Sequence, residues 1–443
     1  MNITVTEEKS LTYSQIKNIY ESGYKEEKDF KIGLEYERVP VWSDCGQAAD
    51  YYSPNGICNF LREFAKQENW DYITDNSEII GLKQFHDTIT LEPGCQIEFS
   101  LEPQRKISDI EQKVQELDSQ IIPILDTLGI KLLNYGVTPV STYQNIKLIP
   151  KKRYHIMAKY LWGILSDVMM RETAGLQCTF DFKDEEDAIK KFRIANILTP
   201  FVTAMFANSP IRGGVDTGYK SFRALSWLNT DNERCGFAYN FESDYNFDDY
   251  INYTMEAPML FINRENNPIN INGAINFKEF MLGGYSHNNA EIDDYLLQAN
   301  LCFPEVRLRN FIEIRNHDCC GKNLQYALLA LYKGILYNKS AIEEIEDLIG
   351  KTDINEFSDL RYSIPRLALD AKFKNHFVKD YAKEIIKISE KYLKKDNLED
   401  AKYLDYIKSY TMNNKCPADE ILSNWYGCWN KDIRKLIHHT QTL

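Results

Sequence analysis

The hydrophobic rhythm changes along the chain. In the first part, short stretches of period two alternate with stretches of helical period; after about residue 322 the helical period takes over. "LTYSQIKNIYESG" predicts a short helix stopped by Gly23. "FKIGLEYERVPV" alternates as a strand does, and "SPNGICNFLREFAKQENW" predicts a helix capped by Ser53. "DTITLEPGCQIEFSLEP" reads as two strand pieces around Pro93-Gly94. "SDIEQKVQELDSQIIPILDTLG" has capping-box spacing, Ser108 with Glu111, and predicts a helix kinked at Pro123 and ended by Gly129. "IKLLNYGVTPV" and "LQCTFDF" read as strands, 154–172 and 185–207 as helices, and "CFPEVRLRNFIEIR" (302–315) as one long alternating segment. Helices are expected at 323–338, 340–349, 378–395, 397–412 and 417–427. These patterns predict an α+β body with a mainly helical region, 322–443, packed on it, within a single domain over 1–443.

Residues two apart on a strand point to one face. Glu35 and Glu37 therefore share a face, inside an otherwise apolar run. Gln96, Glu98 and Ser100 share one, with Glu92 on the piece before the Pro-Gly break. So do Gln177, Thr179 and Asp181, and Glu305, Arg307, Arg309, Phe311, Glu313 and Arg315. Each strand has an apolar side and a side rich in Glu, Gln and Arg. An ordinary solvent face of an antiparallel sheet mixes in Lys and Thr. Repeated over several strands, this composition points to a concave face that binds hard divalent cations and an anionic ligand. Mg²⁺ prefers carboxylate oxygens and substrate phosphates, and arginine supplies bidentate contacts to phosphate and carboxylate.

The chain has 443 residues, 44% hydrophobic, enough for a sizeable core. Its net charge of −13 argues against sequence-independent nucleic-acid binding. No apolar run approaches the roughly 20 residues of a membrane span. The N-terminus, "MNITVTEEKSLTYS", lacks the basic-then-apolar order of a secretory signal, so a cytoplasmic location is expected. Ten scattered cysteines without a CxxC pair read as reduced thiols, and no zinc-ligand spacing occurs. "IGKT" at Gly350 resembles the end of a P-loop, but the earlier glycine is replaced by Ile345 and the segment closes a helix. No GxGxxG is present, so any ATP would be held by metals and arginines.

In order, "GLEYER", "LEPGCQIEFS", "KRYHIMAKYL", "LQCTFDF", "FANSPI", "SFRALSWLNTD", "FPEVRLRNFIEIRNHD" and "NWYGCW" resemble the glutamate–cysteine ligases of the plant and proteobacterial class, collinearly from about residue 30 to 430. The resemblance implies a curved, largely antiparallel sheet flanked by helices, like the glutamine synthetase catalytic domain. It implies ATP-dependent phosphorylation of the glutamate γ-carboxylate, then attack by the amine of cysteine, with Mg²⁺ bridging the phosphates. By the same resemblance Glu35, Glu37, Glu98 and Glu313 are metal ligands, and Glu92 joins them. Arg315 reaches a phosphate beside Glu313. Arg223 takes the glutamate α-carboxylate, with Trp227, Gln177 and a second arginine, Arg171, in the substrate site. Arg153 and Tyr154 fall in the family's "RY" motif without an assigned role.

The pattern departs from the family at Thr179, where asparagine is expected, and at "RNHDCC" in place of "RGAD" and glycines. That places Cys319 and Cys320 near the active-site edge and leaves the acceptor open between cysteine and another amine. His317 beside Asp318 reads as structural more often than as a general base, and His438-His439 as surface residues. The implied partners are small molecules, ATP, L-glutamate and L-cysteine or another amine, acting on a monomer or homodimer, with no nucleic acid and no membrane. A catalytically silent relative would have lost its metal carboxylates, and these are all present.

Overall fold

The structure is a computed structural model and describes residues 11–240, 244–265, 267–321, 323–351, 353–396 and 398–442. The signal-peptide reading at residues 1–10 lies outside them. Nine strands form one sheet: β1 (Ile32–Trp42), β2 (Asp71–Asp75), β3 (Glu78–Gln84), β4 (Asp87–Leu91), β5 (Ile97–Ser100), β6 (Ile130–Leu133), β7 (Gly175–Phe180), β8 (Val306–Leu308) and β9 (Ile312–Asp318). Their order is β8-β9-β7-β1-β5-β4-β3-β2, with β6 paired to the far end of β1, and every pairing is antiparallel.

Register fixes which side chains meet. Glu35 lies opposite Gln177 on one side and Ser100 on the other, and Glu37 opposite Glu98. Glu98 faces Thr90, Glu313 faces Thr179, and Arg307 faces Glu313. Directly paired residues share a face, so one polar surface runs across β8, β9, β7, β1, β5 and β4. Gly33 belongs to it opposite Thr179, and a β-carbon there would stand 2.3 Å from the threonine hydroxyl. The other face carries Leu34, Tyr36, Ile89, Ile97, Phe99, Cys178, Ile312 and Ile314, all buried.

Helices cover that apolar face. Leu324–Leu336 packs on β1 and β7, and Glu185–Met205 packs on β9. A single hydrophobic cluster extends from Leu11 to Ile437, so the C-terminal helices share the core of the sheet. Three local expectations are corrected. Residues 302–315 are not one strand but three pieces, Phe303–Pro304, Val306–Leu308 and the start of Ile312–Asp318, with a turn at 309–311 between the last two. The helix at Ile57–Glu68 begins after Gly56, because Ser53 is held in a turn by Asp50. The helix at Ile107–Thr127 begins after Lys106, and Glu111 accepts from the Tyr403 hydroxyl at 2.6 Å in place of closing a box with Ser108. The helices Ile354–Leu367 and Ile433–Thr440 and the strands β2 and β3 were not anticipated.

Candidate active site

The polar face opens into a cleft of about 270 Å³. Glu35, Glu37, Glu92, Glu98, Gln177, Trp227, Glu313 and Arg315 all line it. Strand pleating brings six of them there from β1, β5, β7 and β9, while Glu92 comes from the loop after β4 and Trp227 from the helix Phe222–Leu228. Arg153, Arg307 and Arg309 line it too, and these had been given no role. Their signals were present, in the basic run "KKRY" and in the alternation of "VRLRN".

The cleft is bipolar. At one end Glu37 accepts from the Gly175 amide at 2.6 Å and from Gln177 Nε2 at 3.1 Å. Glu98 accepts from the Thr90 hydroxyl at 2.8 Å. Burial, then the nearby charges of Glu313 and Glu98, push Glu35 up to about 8. Burial and Glu92 push Glu37 up to about 8, and the same two causes push Glu98 up to about 7. At the other end Glu313, 1% exposed, receives Arg307 at 3.2 Å and Arg315, with Arg309 at 3.9 Å. Against the cost of its burial, Arg307, Arg315 and Arg309 hold Glu313 down to about 2. Gln177 joins the two ends: its Oε1 accepts from Arg315 Nη1 at 2.6 Å, while its Nε2 faces Glu37 and Glu98.

The carboxylates at the first end are short of counter-charge, and their oxygen donors suit a hard cation. Among the described residues, no three acidic, histidine or cysteine side chains gather closely enough to hold an ion alone. Glu35, Glu37 and Glu98 would therefore supply part of a coordination shell completed by substrate phosphates and water, the pattern Mg²⁺ favours. Glu313 differs from these three, because arginines already take up its charge.

Arg223 lies just behind the cleft. It is 3% exposed, stacks at 5.8 Å on Trp227 and donates to the Arg315 carbonyl at 3.0 Å. Its Nε and Nη1 have no partner, and neither has Trp227 Nε1. Arg223 is locked in place by the start of its helix, Phe222–Leu228. The capping Ser221 donates to Asp318, which also receives Ser209 and the Asn208 amide at 2.7–2.8 Å. Gly175 makes room for it, since a β-carbon there would stand 2.4 Å from Arg223 Nη2.

One expected residue is elsewhere. Arg171 pairs with Asp167 at 2.9 Å and donates to the Ile146 carbonyl at 3.1 Å, and it does not line the cleft. Its helix, Ser166–Glu172, turns Met169 and Met170 to the cleft and Arg171 away. Cys319 and Cys320 are likewise not at the cleft edge. Both are buried, and Cys320 lines a separate cavity behind the sheet with Arg38 and Asp118. All ten cysteines are free.

His317 is a structural residue, buried between the Leu176 carbonyl at 3.3 Å and the Tyr332 hydroxyl at 3.2 Å. Burial, reinforced by Arg223, lowers it to about 3. Between pH 6.5 and 3 the unfolded chain binds a proton there that the folded chain refuses, so stability falls as pH falls. The slope from this group is about 1.4 kcal/mol per pH unit. Urea unfolding between pH 6.5 and 4.5 should lose that much of its slope in His317→Gln; an unchanged slope would show that this histidine does not set it.

The description "glutamate-cysteine ligase family 2" matches residues 31–437 of the chain. The chain belongs to this family. Among its relatives, the chloroplastic glutamate–cysteine ligase B of Oryza sativa subsp. japonica is 31% identical over 432 residues, covering 96% of this chain and 86% of the rice protein. The chloroplastic glutamate–cysteine ligase of Nicotiana tabacum is 30% identical, covering 96% and 81%. The crystal structure of Francisella tularensis glutamate–cysteine ligase in complex with AMP shares the fold, with a TM-score of 0.59 and 15% identity over 92% of this chain and 87% of that one. The resemblance read from the motifs is thereby borne out, and with it the reading of the chain as an ATP-dependent ligase.

The names of the curated relatives overturn the expected cytoplasmic location. The plant relatives are named chloroplastic. No helix among the described residues is long and apolar enough to cross a membrane.

Proposed function

We propose that this member of the family joins the γ-carboxylate of L-glutamate to the amine of L-cysteine through a γ-glutamyl phosphate, with ATP as phosphoryl donor, and that residues 1–443 act as one catalytic domain. The reading is supported above all by the bipolar cleft, in which a carboxylate bank and an arginine bank face each other and share Gln177. A triphosphate and a carboxylate repel one another, and a ligase must bring both within reaction distance. Arg315, Arg307, Arg309 and Arg153 bind the phosphate oxygens and neutralise charge on the group in transfer. Glu313 keeps Arg307 and Arg315 aligned. Arg223, with two open donors, receives the α-carboxylate of glutamate. Glu35, Glu37 and Glu98 would hold Mg²⁺ together with substrate oxygens, and the ion would screen the phosphate charge. The acceptor amine then attacks the γ-carbonyl carbon, and phosphate leaves as the amide forms.

The test is ADP release with Mg²⁺, ATP and glutamate over a panel of amines, with product masses recorded. Cysteine should stimulate release most, giving the mass of γ-glutamylcysteine. Stimulation by a different amine would keep the site and change the acceptor. Silence with every amine would overturn the reading.

A further inference from the structure

We propose that Asp318 is a positioning residue that fixes Arg223 at a set distance from Arg315 and so selects the chain length of the donor. The proposal rests on the ligase reading above, in which Arg223 takes the α-carboxylate and Arg315 the group in transfer at the γ end.

Three separate segments of the sequence meet at this one carboxylate. "FANSPI" brings Asn208 and Ser209, "SFRALSWLNTD" brings Ser221 and Arg223, and "FIEIRNHD" ends in Asp318. Asp318 is buried. Its Oδ1 accepts from the Ser221 hydroxyl at 2.8 Å, and its Oδ2 accepts from the Ser209 hydroxyl at 2.7 Å and from the Asn208 amide at 2.8 Å. Strict alternation would put Asp318, three residues after Arg315, on the opposite face of β9. The bulge between Ile314 and His317 supplies the extra residue and pairs Asp318 with Gly175, on the face that carries Gln177.

β9 then holds Arg223 from two sides. The Arg223 amide donates to Ser209 Oγ at 3.1 Å, and that hydroxyl in turn donates to Asp318. Ser221 Oγ accepts from the Ala224 amide at 3.0 Å, so the first turn of the same helix is bonded to the carboxylate through a second hydroxyl. At the far end of the side chain, Arg223 Nη2 donates to the Arg315 carbonyl at 3.0 Å. Both anchors, a side chain and a carbonyl, lie within the short stretch from Arg315 to Asp318. Burial pushes the Asp318 carboxyl up, and the charge of Arg223 leads the influences that pull it back, so the two groups are linked electrostatically as well. Asn208 closes the frame by donating from Nδ2 to the Cys319 carbonyl at 2.7 Å.

A donor that spans two arginines fixed to one strand is measured by them. One methylene more or less commonly changes kcat/KM by roughly 10–200-fold, and a misplacement of about 1 Å can cost on the order of a hundredfold. Removing the Asp318 carboxylate leaves the buried donors of Asn208, Ser209 and Ser221 unpaired and frees the Arg223 helix to shift against β9.

The experiment measures kcat and KM by ADP release for L-glutamate and for L-aspartate and L-2-aminoadipate, one methylene shorter and longer, with the amine that stimulates the parent enzyme most. Asp318→Ala should raise the KM for glutamate roughly tenfold or more, hold kcat within about threefold and the KM for ATP within about twofold, and cut the preference for glutamate over the other two donors at least about fivefold. Asp318→Asn should return KM and preference to within about threefold of the parent, because its oxygen accepts from Ser209 and Asn208 while its amide donates to the Ser221 hydroxyl. A merely structural residue would lower kcat on every donor through loss of folded protein and leave KM and the donor ratio alone; that result, or a parent enzyme that takes all three donors alike, would overturn the proposal. Should Asp318→Ala not fold, Ser209→Ala, which cuts the link to the Arg223 amide, is read by the same ratio, with a shift of roughly threefold expected and none overturning it. A parent enzyme silent with glutamate and every amine would mark failure of the ligase reading itself.

Discussion

Replacing Glu35 by glutamine is expected to lower ADP release by about a thousandfold while leaving the ligand-free protein at least as stable as its parent. The substitution preserves shape and removes an ionisable group whose ionisation burial, Glu313 and Glu98 already oppose. Removing repulsion from a buried carboxylate cluster should raise the unfolding free energy by up to about 1 kcal/mol. Activity and stability thus move in opposite directions, which a merely structural glutamate does not produce. Turnover close to normal would remove Glu35 from the metal site, and a large drop in thermal stability would make its role structural.

Glu313→Gln should fail in the other way. Glu313 is the counter-charge of Arg307, Arg309 and Arg315, and it is nearly inaccessible to water. Breaking a buried ion pair from one side leaves the opposite charges uncompensated and costs about 3–5 kcal/mol. The variant is expected to lose activity and stability together, and millimolar ATP or inorganic triphosphate should recover part of the stability by supplying anions to the arginines. A variant as stable as the parent would show that the arginines do not depend on Glu313. The two glutamates look alike in the sequence, each on an alternating strand, and the charge around them separates their roles.

Much of the site was legible because pleating is a simple rule. Alternation alone placed Glu35, Glu37, Glu98, Gln177, Glu313 and Arg315 on polar faces, and the register joins those faces into one. The rule survived even where the element was misread. Residues 302–315 fold back as a hairpin, yet Arg307 still lies beside Glu313, since paired positions in an antiparallel hairpin share a face. What the rule could not reach depends on rotation about helices and on loop geometry. Arg171 fails because one step along a short helix changes direction by about 100°, which sends Met170 to the cleft and Arg171 to Asp167. Ser53 and Ser108 were read as caps from residue type, and the true starts were set by Asp50 and Lys106 in their tertiary surroundings.

The two banks of the cleft are attached to the sheet in unlike ways. β1, β5 and β7 are interior strands, bonded along both sides, and any displacement of Glu35, Glu37 or Glu98 must distort neighbouring strands and the helices behind them. Arg307 lies on β8, the outermost strand, and Arg309 in the three-residue turn that follows. The carboxylates are therefore set in the foundation of the molecule, while part of the arginine bank stands on its margin. Lengthening or resequencing that one turn is expected to move Arg309 while leaving Glu35, Glu37 and Glu98 in place.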